Sequence, residues 1–406
     1  MNRCVILVEA NTSGSGPMFV RSIRRLGCTP VLLTTTPERY DFVEPRRLRT
    51  LRVDTGDPRQ VVLECHRIQQ EEGLAGVLSS SEYFVHTAAQ VARQLGLAGP
   101  PPEAVALCRD KVVQRRTLRR AGVPVPDFRA ATTPEDLEQA VSDLGDGSLV
   151  VKPSQASGSL GVRLCPTRED ALRHGLRLLA GAISEPRAGT VTRVLVERFI
   201  DAPEYSAEVF DGRCFGITRK YLGARPFFVE TGHDFPADLG PDLAGSLAST
   251  AEAACRAVGL AWGPAHVEIL AAADGPAVVE INPRLAGGRI PQLVLLATGV
   301  DLTLETTRIH CGRPATLRRT RRRSTAIRFV LVETPGRLVA VSGLDDARKV
   351  EGVTEAVVYP GIGRELMRHR DYRDRIGHVI ASDDLPRCGE LAERARDLIA
   401  AVVRDH

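Results

Sequence analysis

The chain has 406 residues, 43% hydrophobic and 26% charged, the make-up of a globular protein of two or three domains. A net charge of +4 is small for this length and does not suggest a dedicated nucleic-acid binder, although the Arg318 to Arg323 run could be read that way, and no apolar stretch approaches a membrane span. The opening MNRCVILVEA has too short an apolar run for a secretion signal, so a cytoplasmic location is expected. Nine cysteines are scattered without a CxxC pair and support neither a disulfide framework nor a zinc site. Of the 54 basic residues only Lys111, Lys152, Lys220 and Lys349 are lysines. A chain so biased towards arginine is expected to keep lysine mainly where arginine will not serve.

Residues 1 to about 100 alternate short apolar strands with amphipathic helices: CVILVE, a helix from Pro17 to Leu26, PVLLTT, a helix from Pro58 to Glu72, AGVLSSS and a helix from Glu82 to Leu95. That alternation predicts a doubly wound parallel sheet covered on both faces. The turn Asn11 to Pro17 lacks the GxGxxG spacing and reads first as a tight strand-to-helix turn, with a substrate carboxylate at the helix start as the alternative. Gly99-Pro100-Pro101-Pro102 marks a break, after which Arg109-Asp110-Lys111 opens a basic helix that ends near Gly122.

Leu149 to Pro153 reads as a buried strand carrying Lys152 at its end, followed by the small-residue loop Ser154 to Gly161. Backbone N–H groups of Ser157, Gly158 and Ser159 in such a loop can cover phosphates while a lysine supplies a point charge; a plain hairpin turn is the alternative. Val194 to Glu197 is a further strand, running through Phe199 and Ile200 to Glu204. Its edge could hold an adenine ring and Glu204 the ribose hydroxyls, against the plainer reading of two surface acids around a turn. Next, AHVEIL and AVVEIN flank a Gly/Pro turn and predict an antiparallel hairpin with Glu268 opposite Glu280. Two carboxylates so placed repel unless a cation lies between them; with Asn282 they form a hard oxygen set suited to Mg2+, and Arg284 follows as an anion-holding donor.

The ordered set DKxxxRRxLxxAGVPVP, VVKPSxxSGSLGV, VLVERFIDAPEYSAEV, HVEI and VVEINPR closely resembles the ATP-grasp superfamily, over essentially the whole chain. Within it the chain is most similar to carboxylate–amine ligases of the L-amino-acid (dipeptide) ligase type. The resemblance implies an α/β fold with α+β character in the ATP-binding part. It places an N-terminal domain at 1–100, an ATP-grasp domain at 101–315 with a lid at about 125–200, and a small C-terminal domain at 316–406. It implies ATP and Mg2+ as cofactors, with Mn2+ able to substitute. Lys111, Lys152 and the Ser157-Gly158-Ser159 loop would meet the phosphates; Glu197, Phe199 and Ile200 the adenine; Glu204 the ribose; Glu268, Glu280 and Asn282 the metal. Arg284 would steady the transferred phosphate. The chemistry implied is attack of a carboxylate on the ATP γ-phosphate, then displacement of phosphate by an amine, with amino acids as the expected small-molecule substrates.

The segment Lys220 to Leu239 reads as irregular, with Glu230 and His233 as substrate or proton-transfer candidates and a turn-capping role for His233 as the alternative. Gly287, Gly288 and Arg289 precede a helix and would let backbone and guanidinium approach a carboxylate, or merely cap that helix. The Arg318 to Arg323 run reads as a solvated linker. Beyond it, strands at Ile327–Val332 and Val353–Tyr359, a segment Asp371–Ile380 and a helix Cys388–Val403 are expected, with a homodimer interface as one role. Neither nucleic acid nor membrane is an expected partner. Two other functions fit the same motifs, a bicarbonate-using carboxylase of the purine-biosynthesis or biotin-carboxylase type and a non-catalytic ATP-binding regulator.

Overall fold

The computed structural model describes residues 3–40, 42, 48–181, 184–185, 189–384 and 386–404. At the N-terminus, strands Cys4–Val8, Thr29–Thr34, Arg49–Arg52 and Leu74–Leu78 form a parallel sheet in the spatial order third, second, first, fourth. All five residues of Cys4–Val8 are buried, which is why the strand reads as an unbroken apolar run and not as an alternation. The first helix begins at Ser15, earlier than Pro17, because Asn11 donates its side-chain amide to Ser15 Oγ at 3.0 Å and draws the chain tightly round. Helices Pro58–Glu71 and Val85–Gln94 follow, the latter starting three residues after Glu82 and leaving that carboxylate in the preceding turn.

The triple-proline break opens a helix of its own, Pro102–Arg109, since proline suits a first helical turn whose N–H groups lack partners anyway. Asp110 then caps Lys111–Arg120 by accepting from the amides of Val112 and Val113. Residues 128–198 build a second layer. Strands Phe128–Ala131, Val194–Arg198, Leu149–Pro153 and Arg163–Cys165 form one sheet, backed by helices Pro134–Leu144 and Arg168–Leu179 around a core of their own.

The third and largest sheet has eight antiparallel strands in the order Gly275–Asn282, Pro264–Ala272, Glu204–Phe210, Arg213–Leu222, Glu230–Phe235, Ser324–Leu331, Arg375–Asp383, Val353–Val358. Two expectations change here. Glu230–Phe235, expected to be irregular, is a strand because it is paired on both sides, by residues 219–222 and 325–328. The C-terminal helix stops at Asp397; the β-branched pair in Ala400–Arg404 instead joins strand Gly336–Ser342. The arginine run 318–323 is exposed and without regular structure, as expected of a solvated linker, with Arg319 4.7 Å over the Phe215 ring and Arg323 2.8 Å from Asp384. Among the described residues no helix is long and apolar enough to cross a membrane.

The turn that leaves the first strand is tight. A Cβ on Gly16 would fall 1.9 Å from the Asn11 carbonyl oxygen. Gly16→Ala should therefore cost about 1–3 kcal/mol by overpacking; urea unfolding of the variant beside the wild type checks this.

Candidate active site

Pairing register places the polar groups of the large sheet in three adjoining rows. Glu280 pairs with Glu268, which pairs with Ser206, which pairs with Thr218. On one side Asn282, His266 and Glu208 are partners in turn; on the other Glu204, Lys220 and His233 are. Alternate residues of a strand share a face, so these rows present their side chains together. The predicted hairpin, with Glu268 directly opposite Glu280, is present as read.

Above this face lies a cavity of about 530 Å3, walled by the large sheet, the 128–198 layer, the N-terminal turn residues 11–15 and the C-terminal strands. All the sequence-selected candidates line it: Lys111, Lys152, Ser157, Gly158, Ser159, Glu197, Phe199, Ile200, Glu204, Glu230, His233, Glu268, Glu280, Asn282, Arg284, Gly287, Gly288 and Arg289. Glu82, Lys220, Phe329, Tyr359 and Arg375 line it too and were not singled out as site residues from the sequence. Lysine scarcity was a usable signal for Lys220. For Arg375, one arginine among many, there was none.

Three of the four lysines are buried here, each against a carboxylate. Lys111 lies 3.0 Å from Glu280 and donates to the Ala156 carbonyl at 2.6 Å. Lys152 lies 2.5 Å from Glu197, whose other oxygen accepts from Arg115 Nε at 2.6 Å. Glu197 is thus engaged through both carboxylate oxygens by two buried cations. Lys220 meets Glu268 at 3.0 Å, Glu230 at 3.1 Å and Glu204 more closely still. Burial alone would lower the Lys220 ammonium, but the three carboxylates outweigh it and hold its pKa well above the ordinary lysine value. Burial pushes Glu268 and Glu204 up despite Lys220, with the neighbouring carboxylates adding to the rise. For Glu280 the charge of Lys111 prevails over burial and holds the group below the usual range; for Glu230, Lys220 and Arg375 do the same.

His233 is fully buried, 3.4 Å from Glu230 and edge-on to Phe329, and burial depresses its pKa, leaving a neutral imidazole. Gly288, at φ +56, must be glycine: a Cβ would lie 2.4 Å from His233 Nε2. Arg284 donates from Nε to Glu82 at 2.5 Å and from NH1 to the Leu285 carbonyl.

His266 decides how Asn282 is oriented. Burial lowers its pKa to about 4, so the ring is neutral and carries one proton. The carbonyl of Arg284, 3.1 Å from Nδ1, requires that proton on Nδ1, and Nε2 is left as an acceptor. Asn282 must then donate its amide N–H to Nε2 at 3.1 Å. In that orientation its oxygen faces Glu280 at 3.2 Å and Glu82 at 3.1 Å, carboxylates that also meet Lys111 and Arg284; with the amide turned over, its nitrogen would donate to both carboxylates instead. Such a cluster fits a bound cation. Among the described residues no three His, Cys, Asp or Glu side chains form a self-sufficient cage. Two carboxylates and an amide oxygen instead suit an ion that shares its remaining positions with phosphate and water.

A grooved sheet under a second α/β layer, with lysines and paired carboxylates facing the cavity between them, defines an ATP-grasp enzyme. The ATP-grasp domain family matches residues 146–292 and the L-amino acid ligase C-terminal domain 2 family matches residues 328–404. The uncharacterized protein y4rH of Sinorhizobium fredii is 36% identical over 381 residues, 94% of this chain and 79% of that one. Alanine–anticapsin ligase of Bacillus amyloliquefaciens is 26% identical over 281 residues, 64% of this chain, but the match spans only 59% of that enzyme. The crystal structure of L-amino acid ligase from Bacillus licheniformis superposes with a TM-score of 0.85 at 21% identity, covering 100% of this chain and 99% of that one, and thus shares the fold. The chain belongs to the ATP-grasp superfamily of carboxylate–amine ligases, in its L-amino acid ligase branch, and is an ATP-binding enzyme of the class that forms C–N bonds.

The buried neutral His266 has a thermodynamic signature. Its folded pKa of about 4 lies below the ordinary 6.5, so the unfolded chain takes up the proton first as pH falls. Its contribution is complete above pH 6.5 and is lost as pH falls towards 4. At about 1.4 kcal/mol per pKa unit this is about 3 kcal/mol. The stability difference between wild type and His266→Gln, from urea unfolding at pH 7 and pH 4.5 without metal, should shrink at the lower pH by roughly that order.

Proposed function

We propose that the protein is an ATP- and Mg2+-dependent ligase that joins the carboxyl group of an amino acid to the amine of a second amino acid or small amine, through an acyl phosphate and with release of ADP and phosphate. The observation that carries this reading is Glu268 directly opposite Glu280 in register, with Asn282 two residues on along the same strand and the Lys111 ammonium 3.0 Å from Glu280.

In this reading Glu268, Glu280 and Asn282 hold the metal, which when bound would neutralise charge on the phosphoryl oxygens. Lys111 and Lys152 exchange their carboxylate partners for phosphate oxygens, while Ser157, Gly158 and Ser159 close over them from above. Lys152 is held in line by Glu197, itself fixed by Arg115. Phe199, Ile200 and the backbone after Glu197 border the base, and Glu204 the ribose. A substrate carboxylate oxygen attacks the γ-phosphorus, the bond to the bridging oxygen breaks and ADP leaves. The amine nitrogen then attacks the acyl carbon, phosphate departs with the bond pair, and the nitrogen gives up a proton. Arg284, at the end of the metal-site strand, neutralises the phosphate and the oxyanion of the tetrahedral intermediate. The neutral, buried imidazole of His233 is suited to accept a proton or a hydrogen bond from the incoming amine. Catalysis of this kind depends on positioning and charge neutralisation and needs no covalent protein nucleophile.

Two measurements test this. With Mg2+-ATP, ADP release should require a pair of substrates, and the product mass should equal their sum less one water. Release of AMP and pyrophosphate would refute the acyl-phosphate route, and activity with bicarbonate plus one amine would indicate a carboxylase. Glu280→Gln should lower ADP formation by about a hundredfold or more, beyond the usual cost of losing a supporting group around a metal, while thermal melting shows the fold retained.

A further inference from the structure

One wall of the cavity is built from the C-terminal strands and is cationic. Arg375 opens strand Arg375–Asp383, and its guanidinium stacks 4.2 Å above the Phe329 ring. One nitrogen lies 2.5 Å from Glu230; Nε is buried without an acceptor. Glu230 gives its other oxygen to Lys220 at 3.1 Å, so Arg375 shares its carboxylate with a second buried cation. Beside it, Arg289 has a left-handed backbone, φ 60, uncommon for a residue with a side chain. It is held by Gln292 at 3.0 Å and Glu355 at 3.4 Å. Tyr359 completes this wall, donating to His378 Nδ1 at 2.7 Å while His378 Nε2 donates to Glu355 at 3.0 Å. These are fixed, mutually satisfied groups flanking a guanidinium that is only partly neutralised.

We propose that Arg375 is the receptor for the carboxylate of the amine-bearing substrate, so that the second substrate is an amino acid and not a simple amine. This rests on the amide-forming reading above. A substrate that attacks through its amine keeps its own carboxylate, and that anion needs a cation other than the groups occupied with ATP. Arg284 is committed to Glu82 and the metal-site strand. Arg375 stands three ion-pair steps from Glu268, through Glu230 and Lys220. Its planar fork can meet a carboxylate with two parallel N–H donors while Phe329 supports it from below. Glu230 is then a positioning residue, fixing the guanidinium by its edge. Arg289 and Tyr359 form the polar wall that sets how long a side chain fits beside the carboxylate.

The test compares L-alanine with L-alaninamide and ethylamine as amine donors, and repeats the comparison for the amino acid that the pair screen favours. The two analogues lack the carboxylate and carry amines less and more basic than that of alanine, so basicity cannot imitate the effect. Wild type should prefer the amino acid by about 10- to 100-fold in kcat/KM, expressed mainly in KM, because charge-assisted bidentate hydrogen bonds are the strong ones. Arg375→Gln should bring that ratio close to one, and Arg375→Lys should leave it intermediate. If Arg375→Gln does not fold, as judged by circular dichroism, the wild-type ratio and Arg375→Lys still decide. Equal use of alaninamide by wild type, or an undiminished preference in Arg375→Lys and Arg375→Gln, would overturn the assignment while leaving the ligase reading intact. Absence of amide formation with every amine donor would overturn that reading itself.

Discussion

One ammonium group holds the site together. Lys220 stands on the face of the large sheet amid Glu204, Glu230 and Glu268, and without it three buried carboxylates would confront one another. An ammonium has three N–H donors on a compact charge and can serve three acids converging from different strands; the flat fork of a guanidinium is built to meet one or two in its plane. That accounts for a lysine at this position in a chain so biased towards arginine. The three acids face different tasks in the proposed reaction: Glu204 the ribose, Glu268 the metal and Glu230 the substrate end through Arg375. A change in the partners of one is therefore felt by the other two through a shared cation, with a distance of about 3 Å at each step.

The other two buried lysines show the same logic at the joints between layers. Lys111 belongs to a helix of the body and reaches both Glu280 of the large sheet and the Ala156 carbonyl of the phosphate loop. Lys152 belongs to the second layer and is tied through Glu197 to Arg115 on that same helix. Taking ions out of water costs several kcal/mol each, and their mutual attraction roughly offsets this when the geometry is good. Such pairs add little net stability, but they keep charged groups extended and aimed at the cavity, where the proposed reaction would exchange carboxylate for phosphate oxygens.

Much of this was legible in the sequence because it rests on local patterns. The parallel N-terminal sheet follows from apolar runs alternating with helices. The Glu268–Glu280 hairpin follows from two alternating stretches about one Gly/Pro turn, and Asn282 follows from its spacing on the same strand. What escaped depends on pairing over long separations. Residues 230–235 carry no strand signature and become a strand only between residues 219–222 and 325–328. Arg375 enters the cavity because residues 375–383 pair beside 324–331. Glu82 faces Arg284 across 202 residues. Periodicity cannot encode contacts of that kind, and in a chain with so many arginines and acids residue type does not mark them either.

The C-terminal segment reaches the cavity through strands Ser324–Leu331, Arg375–Asp383 and Val353–Val358, which continue the large sheet, so Arg375 and the Glu268–Glu280 pair stand on one sheet. The same segment meets the small-residue loop 154–161: Tyr372 packs so closely that a Cβ on Gly158 would lie 2.4 Å from its ring, and the Tyr372 amide donates to the Gly158 carbonyl at 3.3 Å. Ser159 donates to the Phe228 carbonyl at 2.8 Å on the other side. Only a glycine admits the tyrosine at that distance. The second layer has its own hydrophobic core and is tied to the body through Lys152, Glu197 and Arg115, whereas the Glu268–Glu280 pair and Arg375 share one continuous sheet.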